Sequence, residues 1–300
     1  MFDWNGLRFF LAVARSGSTL AAAKALGVSQ PTVQRRLAAL EARLGRKLFE
    51  RHPTGYRLTK LGEALLPDAR RVEEQVEAFA RHLRSTDQAT TDVVRVTGAE
   101  GMAPHFVTPI VAEFEAAHPG LKVELIMTDR YLDLAKGEAD IAVRANSPGA
   151  GPLVCRKIGD APWTVYASLG YIERHGRPDT LADLGRHSVI GFGGEMANSH
   201  AGLWLRATAP GAEVAAQGNT MLGIVAAVKS GAGVAPLPMM LAEPEDELEG
   251  LFDPISDINS QIYLVTHQDL RNSTRVRAFF DFVFEHADRY RGFLRGEARR

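Results

Sequence analysis

The stretch SGSTLAAAKALGVSQPTVQRRLAALEARLGRKLFER, residues 16–51, holds two helix signals separated by a glycine turn, and its reading decides the architecture of the amino-terminal part. Ser18 or Thr19 can cap a helix running through Ala21, Ala22, Ala23 and Ala25 to Leu26, whose alanines let a neighbour pack close, and Gly27 ends it. After Val28, Ser29 suits an N-cap and Pro31 the first turn of another helix, on which Val33, Leu37, Leu40 and Leu44 form an apolar stripe. Upstream, Leu7, Phe10, Leu11 and Ala14 fall at i, i+3, i+4 and i+7, a short amphipathic helix stopped at Ser16-Gly17-Ser18. Two helices across a short glycine turn make a helix-turn-helix.

At about 100° per residue, the face opposite the apolar stripe centres on Arg35, with Pro31, Thr32, Gln34, Ala38 and Ala39 around it. Such a face, small in its middle and polar at its start, fits the roughly 12 Å major groove of double-stranded DNA, where Gln30, Gln34 and Arg35 can hydrogen-bond base edges. Arg36, Arg43, Arg46 and Lys47 then meet phosphates. The stretch from Glu50 to Leu58 has turn chemistry and a basic tip, as a hairpin wing beside the minor groove needs.

Charge separates the two ends of the chain. Residues 1–60 hold eleven Lys and Arg against Asp3, Glu41 and Glu50, a net of +8, whereas the remainder carries −9 and the whole −1. A basic head on an acidic body points to a polyanionic partner. At 300 residues and 45% hydrophobic content, two or three domains are expected. No stretch is apolar enough for a membrane span or a signal peptide, so no membrane partner and a cytoplasmic location are expected. The single cysteine, Cys155, leaves no internal disulfide and no multi-cysteine metal site.

Beyond Lys60, Leu65, Val72 and Phe79 recur every seven residues, as do Ala69, Val76 and Leu83, giving an apolar seam over about three heptads that a second copy of the helix would bury. Polar residues 85–92 read as a hinge. Strand-like Val93 to Val96, a helix through Phe106, Ile110, Val111 and Phe114, and a strand from Leu121 to Met127 make a βαβ unit. Strands at Ile141–Val143, Val154–Ile158, Thr164–Ala167, Val189–Phe192 and Ile262–Thr266 alternate with helices at Met221–Lys229 and Arg275–His286, an α/β pattern. Open sheets of this class bind ligands beyond the carboxyl ends of their strands, where the loop from Thr97 to Met102 lies.

The residues 16–51, through Gly17-Ser18, Ala21-Ala22, Leu26, Ser29-Gln30-Pro31, Val33, Leu40-Glu41, Leu44-Gly45, Leu48-Phe49 and Arg51, and then Leu58-Thr59 with Gly62, resemble the winged helix-turn-helix of LysR-type transcriptional regulators. Gln34, following Val33, departs from the family's usual serine. Leu134, Gly137, Asp140-Ile141-Ala142-Val143 and Gly231-Ala232-Gly233-Val234-Ala235 resemble the family's effector domain, similar to two-lobed periplasmic binding proteins. The resemblance covers about residues 2–290. It implies a winged helix-turn-helix over residues 1–59, a linker and dimerisation helix over 60–84, the hinge over 85–92 and an effector-binding domain over 93–300. Lobe I would comprise residues 93–160 and 260–290, and lobe II residues 161–259.

Carried over position by position, the DNA contacts would be Ser29, Gln30, Pro31, Thr32, Gln34, Arg35, Arg36, Arg51, Thr54 and Arg57. The cleft for a small-molecule effector would be lined by Thr97, Glu100, Gly101, Met102, Thr128, Arg144, Phe192, Gly193, Met221 and Pro236. Many relatives use a small hydroxyl residue in the first loop to hold a carboxylate. Here Glu100 repels an anion unless Arg144 compensates, which leaves the effector's charge open. Further implied partners are a second copy or three more, an operator of dyad symmetry, and RNA polymerase as a candidate. No cofactor, metal or catalytic residue is expected: G-x-S-x-G, G-x-x-x-x-G-K-[ST] and H-E-x-x-H are absent, and Gly191-Phe192-Gly193-Gly194 lacks dinucleotide-site spacing. The alternatives are a small-molecule binding protein or an enzyme with an accessory DNA-binding domain.

Overall fold

A computed structural model describes residues 4–53, 55–87, 92–147 and 151–297. The chain divides into two compact units, residues 1–83 and 84–300.

The first unit opens with α1 (Trp4–Ser16), α2 (Thr19–Leu26) and α3 (Gln30–Leu44). Local chemistry sets these ends. The Ser18 hydroxyl accepts from the N–H groups of Leu20 and Ala21, and Gly27 and Gly45 close α2 and α3 in the left-handed conformation that glycine adopts without a Cβ clash. Ser29 sits at the N-cap of α3 but makes no side-chain cap to the backbone; its hydroxyl lies 2.9 Å from that of Thr32. Phe10, Leu11, Val13, Ala22, Ala23, Val33, Leu37 and Leu40 fill the core, while Leu44 is only half-buried.

The hairpin β1 (Phe49–His52) and β2 (Gly55–Leu58) follows, pairing Phe49 with Leu58 and Arg51 with Tyr56. Phe49 packs between Phe10 and Tyr56, with ring centroids 5.5 and 6.1 Å away. The Tyr56 N–H donates to the Gly17 carbonyl at 2.8 Å, and a Cβ on Gly55 would lie 2.4 Å from that oxygen, so glycine is required where the hairpin meets the α1–α2 turn. The long helix α4 (Lys60–Asp87) takes up the first part of the expected hinge, running without a break through Pro67, the proline inside it. The rest of that hinge, residues 88–91, lies outside the described residues.

The second unit is a pair of lobes. In the first, five strands run in the order β4–β3–β5–β12–β6, namely Lys122–Met127, Val93–Gly98, Ile141–Ala145, Ser260–His267 and Leu153–Ala161. β3 is parallel to β4 and β5, and β12 is antiparallel to β5 and β6. Helices α5 (Thr108–Ala117), α10 (Thr274–Glu285) and α11 (Ala287–Leu294) belong to this lobe, with Phe114 of α5 wedged against Phe279 and Phe282 of α10.

The helix expected through Phe106 to Phe114 forms with continuous helical backbone, but it is not α throughout. A 3-10 turn (Glu100–Met102) and a π-helical turn (Ala103–Val107) precede α5. Pro109 has no N–H to give the carbonyl four residues back, and a wider turn is the chain's response.

The second lobe holds β7 (Trp163–Ser168) between β10 (Ala235–Pro238) and β11 (Leu248–Gly250), both antiparallel to it. β8 (Ser188–Phe192) and β9 (Glu213–Gly218) pair in parallel, and Ile190 and Ser188 bond Val234 just ahead of β10. Around them lie α6 (Leu169–His175), α7 (His200–Thr208), α8 (Met221–Lys229) and α9 (Met239–Ala242). The chain crosses between lobes twice, at Ala161–Trp163 and Asn259–Ser260. There the Trp163 N–H donates to Asn259 Oδ1 at 3.0 Å and its indole Nε1 to Ser260 Oγ at 3.1 Å.

Candidate functional site

On α3 the buried stripe of Val33, Leu37 and Leu40 turns the opposite face outward, and Pro31, Gln34, Arg35, Arg36, Ala38 and Ala39 are exposed on it. Gln30 is different. Its side-chain N–H donates to the Thr19 hydroxyl at 3.0 Å, so its amide is partly engaged with α2, a contact that a wheel drawn for α3 alone does not show. Ser29 is exposed and Thr32 half-buried. Arg51 and Arg57 are exposed on the hairpin; Thr54 lies outside the described residues.

Glu41 fixes the hairpin relative to this face. Its buried carboxylate accepts the N–H groups of Leu48 at 2.9 Å and Phe49 at 3.2 Å and the Lys47 ammonium at 2.7 Å, and this last contact raises the Lys47 pKa. Glu41→Ala leaves two buried N–H donors without that acceptor. It is expected to lower the head's stability by about 3 kcal/mol, read from chemical denaturation followed by circular dichroism.

Between the lobes lies a cavity of about 200 Å³ at the carboxyl ends of β3, β5, β6 and β10. Met102, Met196, Met221, Met240 and Trp163 form much of its wall, with Ala145, Leu241 and Ile262 between them and Asp129 and Ser260 as its polar side chains. A smaller hollow of about 70 Å³ adjoins it on the first lobe, sharing Ala99, Met102, Asp129 and Ala145, and is bordered by Thr128 and Arg144. The Arg144 guanidinium donates to the Leu132 carbonyl and lies 5.2 Å from the Tyr131 ring centre, and burial lowers its pKa.

The expected cleft residues therefore divide. Gly101, Met102 and Met221 line the cavity; Thr97, Thr128 and Arg144 border the smaller hollow, and Met102 is common to both. The Thr97 hydroxyl is spent on the Ile126 carbonyl at 2.7 Å. Glu100, Phe192, Gly193 and Pro236 lie outside both walls: Glu100 is exposed, Phe192 is buried at the end of β8, and the Gly193 N–H bonds Gly218. Pro236 is buried opposite Val165, and the cavity is met instead by Pro238, one pleat repeat nearer the strand's carboxyl end. Trp163, Ser260 and Ile262 were not foreseen, although the crossover points near residues 161 and 259 were the signal that strands there flank the cleft.

A basic helix-turn-helix with a wing, joined by a long helix to a two-lobed domain enclosing a cavity, defines a ligand-responsive DNA-binding regulator. The model of the bacterial regulatory helix-turn-helix protein, lysR family, matches residues 4–63, and that of the LysR substrate binding domain matches residues 87–288. The chain belongs to the LysR family of transcriptional regulators, and its carboxy-terminal unit is the family's effector-binding domain.

It is 27% identical over 291 residues to the HTH-type transcriptional regulator CrgA of Neisseria meningitidis, covering 93% of this chain and 95% of that protein. The solved CrgA structure is similar with a TM-score of 0.57 at 25% identity, covering 96% of this chain and 99% of that one. The regulator PtxR of Pseudomonas aeruginosa is 30% identical over 295 residues, 95% of this chain and 93% of PtxR. Full-length CbnR, solved in complex with its target DNA, shares the fold with a TM-score of 0.51 at 22% identity, covering 95% and 99%. Among the described residues, no helix is long and apolar enough to cross a membrane and no group of side chains is arranged to hold a metal ion.

Proposed function

We propose that the chain acts in the cytoplasm as a self-associating regulator that inserts α3 into the major groove of an operator with dyad symmetry, and that an effector bound between the lobes modulates it. The observation that carries the DNA part is the exposed Gln34–Arg35 face of α3, set directly opposite a buried stripe in a head of net charge +8. Gln34 and Arg35 read base edges, with Gln30 held beside them by Thr19, while Arg36, Arg43 and Arg46 meet phosphates and Arg51, Thr54 and Arg57 of the wing approach the minor groove. CbnR, of the same fold, was solved on its target DNA, which supports this docking.

A ligand that binds the closed lobes more tightly than the open ones shifts their equilibrium, and the paired linker helices transmit the change to the spacing of the heads. No catalytic group takes part. RNA polymerase is a further partner in this reading, and a dimer or tetramer is its assembly.

Fluorescence anisotropy with DNA from immediately upstream of the protein's own gene, against scrambled competitor at two salt concentrations, tests the assignment. Arg35→Ala is expected to cost about 1–3 kcal/mol on the preferred site and to relax base preference, whereas Arg46→Ala weakens binding to every sequence alike and lowers the salt slope by about 1. The reverse pattern would exchange the two roles.

A further inference from the structure

Resting on the cleft reading above, we infer that the effector is a small single-ring aromatic compound bearing an amine, rather than a carboxylate. Three features of the inter-lobe cavity carry this: its size, the softness of its wall and the sign of its only charge.

The cavity measures about 200 Å³, somewhat more than the roughly 150 Å³ apolar cavity known to take up benzene. One aromatic ring with a short substituent fills such a space; a fused polycycle does not fit between the lobes without opening them.

Met102, Met196, Met221 and Met240 supply four thioethers to a wall they share with the Trp163 indole, which is oriented by its hydrogen bond to Ser260. Methionine side chains are polarisable and favour the edges of aromatic rings, and they adapt to a ring's outline without an exact mould. Four of the protein's seven methionines gather here, drawn from segments spread between residues 102 and 240. The Ser260 hydroxyl accepts the indole N–H and keeps its own O–H to donate, so Asp129 is the charged group and Ser260 the neutral one that a ligand meets.

Among the described residues, Asp129 is the only charged side chain of the wall, and no lysine, arginine or histidine lines it. Its Oδ1 is held by the Glu100 N–H at 3.2 Å, which fixes the carboxylate at the cavity mouth, and the exposed Glu100 adds further negative charge nearby. An anionic ligand would enter an apolar space whose described wall carries an exposed carboxylate and no cation, an unfavourable arrangement. An ammonium instead gains a charge-assisted hydrogen bond to Asp129 while its ring lies among the thioethers. Two cations border the adjoining hollow: Arg144 is occupied by the Leu132 carbonyl and the Tyr131 ring, and Arg130, exposed to solvent, lies 3.7 Å from the Glu138 carboxylate.

Isothermal titration of the full chain with benzylamine, benzyl alcohol and benzoate separates the possibilities, because the three share a ring and differ in charge. Benzylamine is expected to bind tightest, with benzoate weaker by about tenfold or more. Asp129→Asn should bring benzylamine to within about threefold of benzyl alcohol, and Ala145→Phe, at a partly exposed position of the wall, should abolish binding of all three. Thermal midpoints within a few degrees of the parent's would show that both variants fold. Tightest binding of benzoate, lost on Arg144→Gln, or tightest binding of benzyl alcohol indifferent to Asp129→Asn, would overturn the amine class and leave the cleft reading standing. No saturable binding of any probe, or binding unmoved by Ala145→Phe, would overturn the cleft reading together with it.

Discussion

Asp140→Ala is expected to lower the stability of the carboxy-terminal unit by about 3–5 kcal/mol. Asp140 is 1% exposed, and its carboxylate accepts the Arg95 backbone N–H at 3.0 Å and the Arg95 guanidinium at 2.9 Å. The Arg275 guanidinium, itself buried, lies 3.7 Å away. The backbone of the same residue accepts the Thr266 hydroxyl and donates to the Arg95 carbonyl, so one residue ties β3, β5, β12 and α10 together. Burial lowers the Arg275 pKa and Asp140 opposes that effect, so removing the carboxylate takes the opposing charge away from a desolvated cation inside the lobe. Urea unfolding followed by tryptophan fluorescence and circular dichroism reads the loss. Adding Arg275→Met to Asp140→Ala should recover part of it, since the buried charge then disappears with its partner. A loss below about 1 kcal/mol for the single variant would show that water reaches the site and screens it.

The same residue shows where sequence reading succeeds and where it stops. Ile141–Val143 was legible as a strand because its pattern is local, and so were the helix ends at Ser18 and Gly27, where cap chemistry acts over three or four residues. The partners of Asp140 were not legible: Arg95 and Arg275 are 45 and 135 positions away, and only the strand order β3–β5–β12 with α10 brings them together.

The cavity follows the same rule. Met102 and Met221 were expected because the resemblance carries them over position by position, whereas Trp163, Ser260 and Ile262 meet because two crossover strands lie side by side, a fact of topology. Pro238 in place of Pro236 is a matter of depth along one strand, which periodicity cannot fix because both share a face. In two cases the information was present but outweighed. Pro109 signalled a wider turn in the helix through Phe106, and the unbroken run from Lys60 signalled that the helix would pass residue 84.

Phe79→Glu is expected to abolish self-association and to weaken operator binding by about 10²- to 10⁴-fold while leaving each head folded. The heptad seam of α4 divides in two. Leu65 is half-buried and Ala69 buried in the head's own core, whereas Val72, Phe79 and Leu83 are 41%, 69% and 50% exposed. The carboxy-terminal part of the seam is thus an apolar stripe that the chain's own head does not bury, and in the proposed assembly a second α4 across a two-fold axis would supply the matching surface. Because Phe79 is largely exposed in the single chain, its replacement should shift the head's unfolding free energy by less than about 0.5 kcal/mol. The loss of affinity then arises from geometry: two linked heads engage both half-sites as one event, and separated heads bind each alone. Sedimentation equilibrium gives the mass and anisotropy on the intact operator gives the affinity. A variant of monomer mass with weakened binding supports the linker-helix dimer, and one that remains dimeric at full affinity would reject α4 as the seam and move the contact to the effector-binding unit.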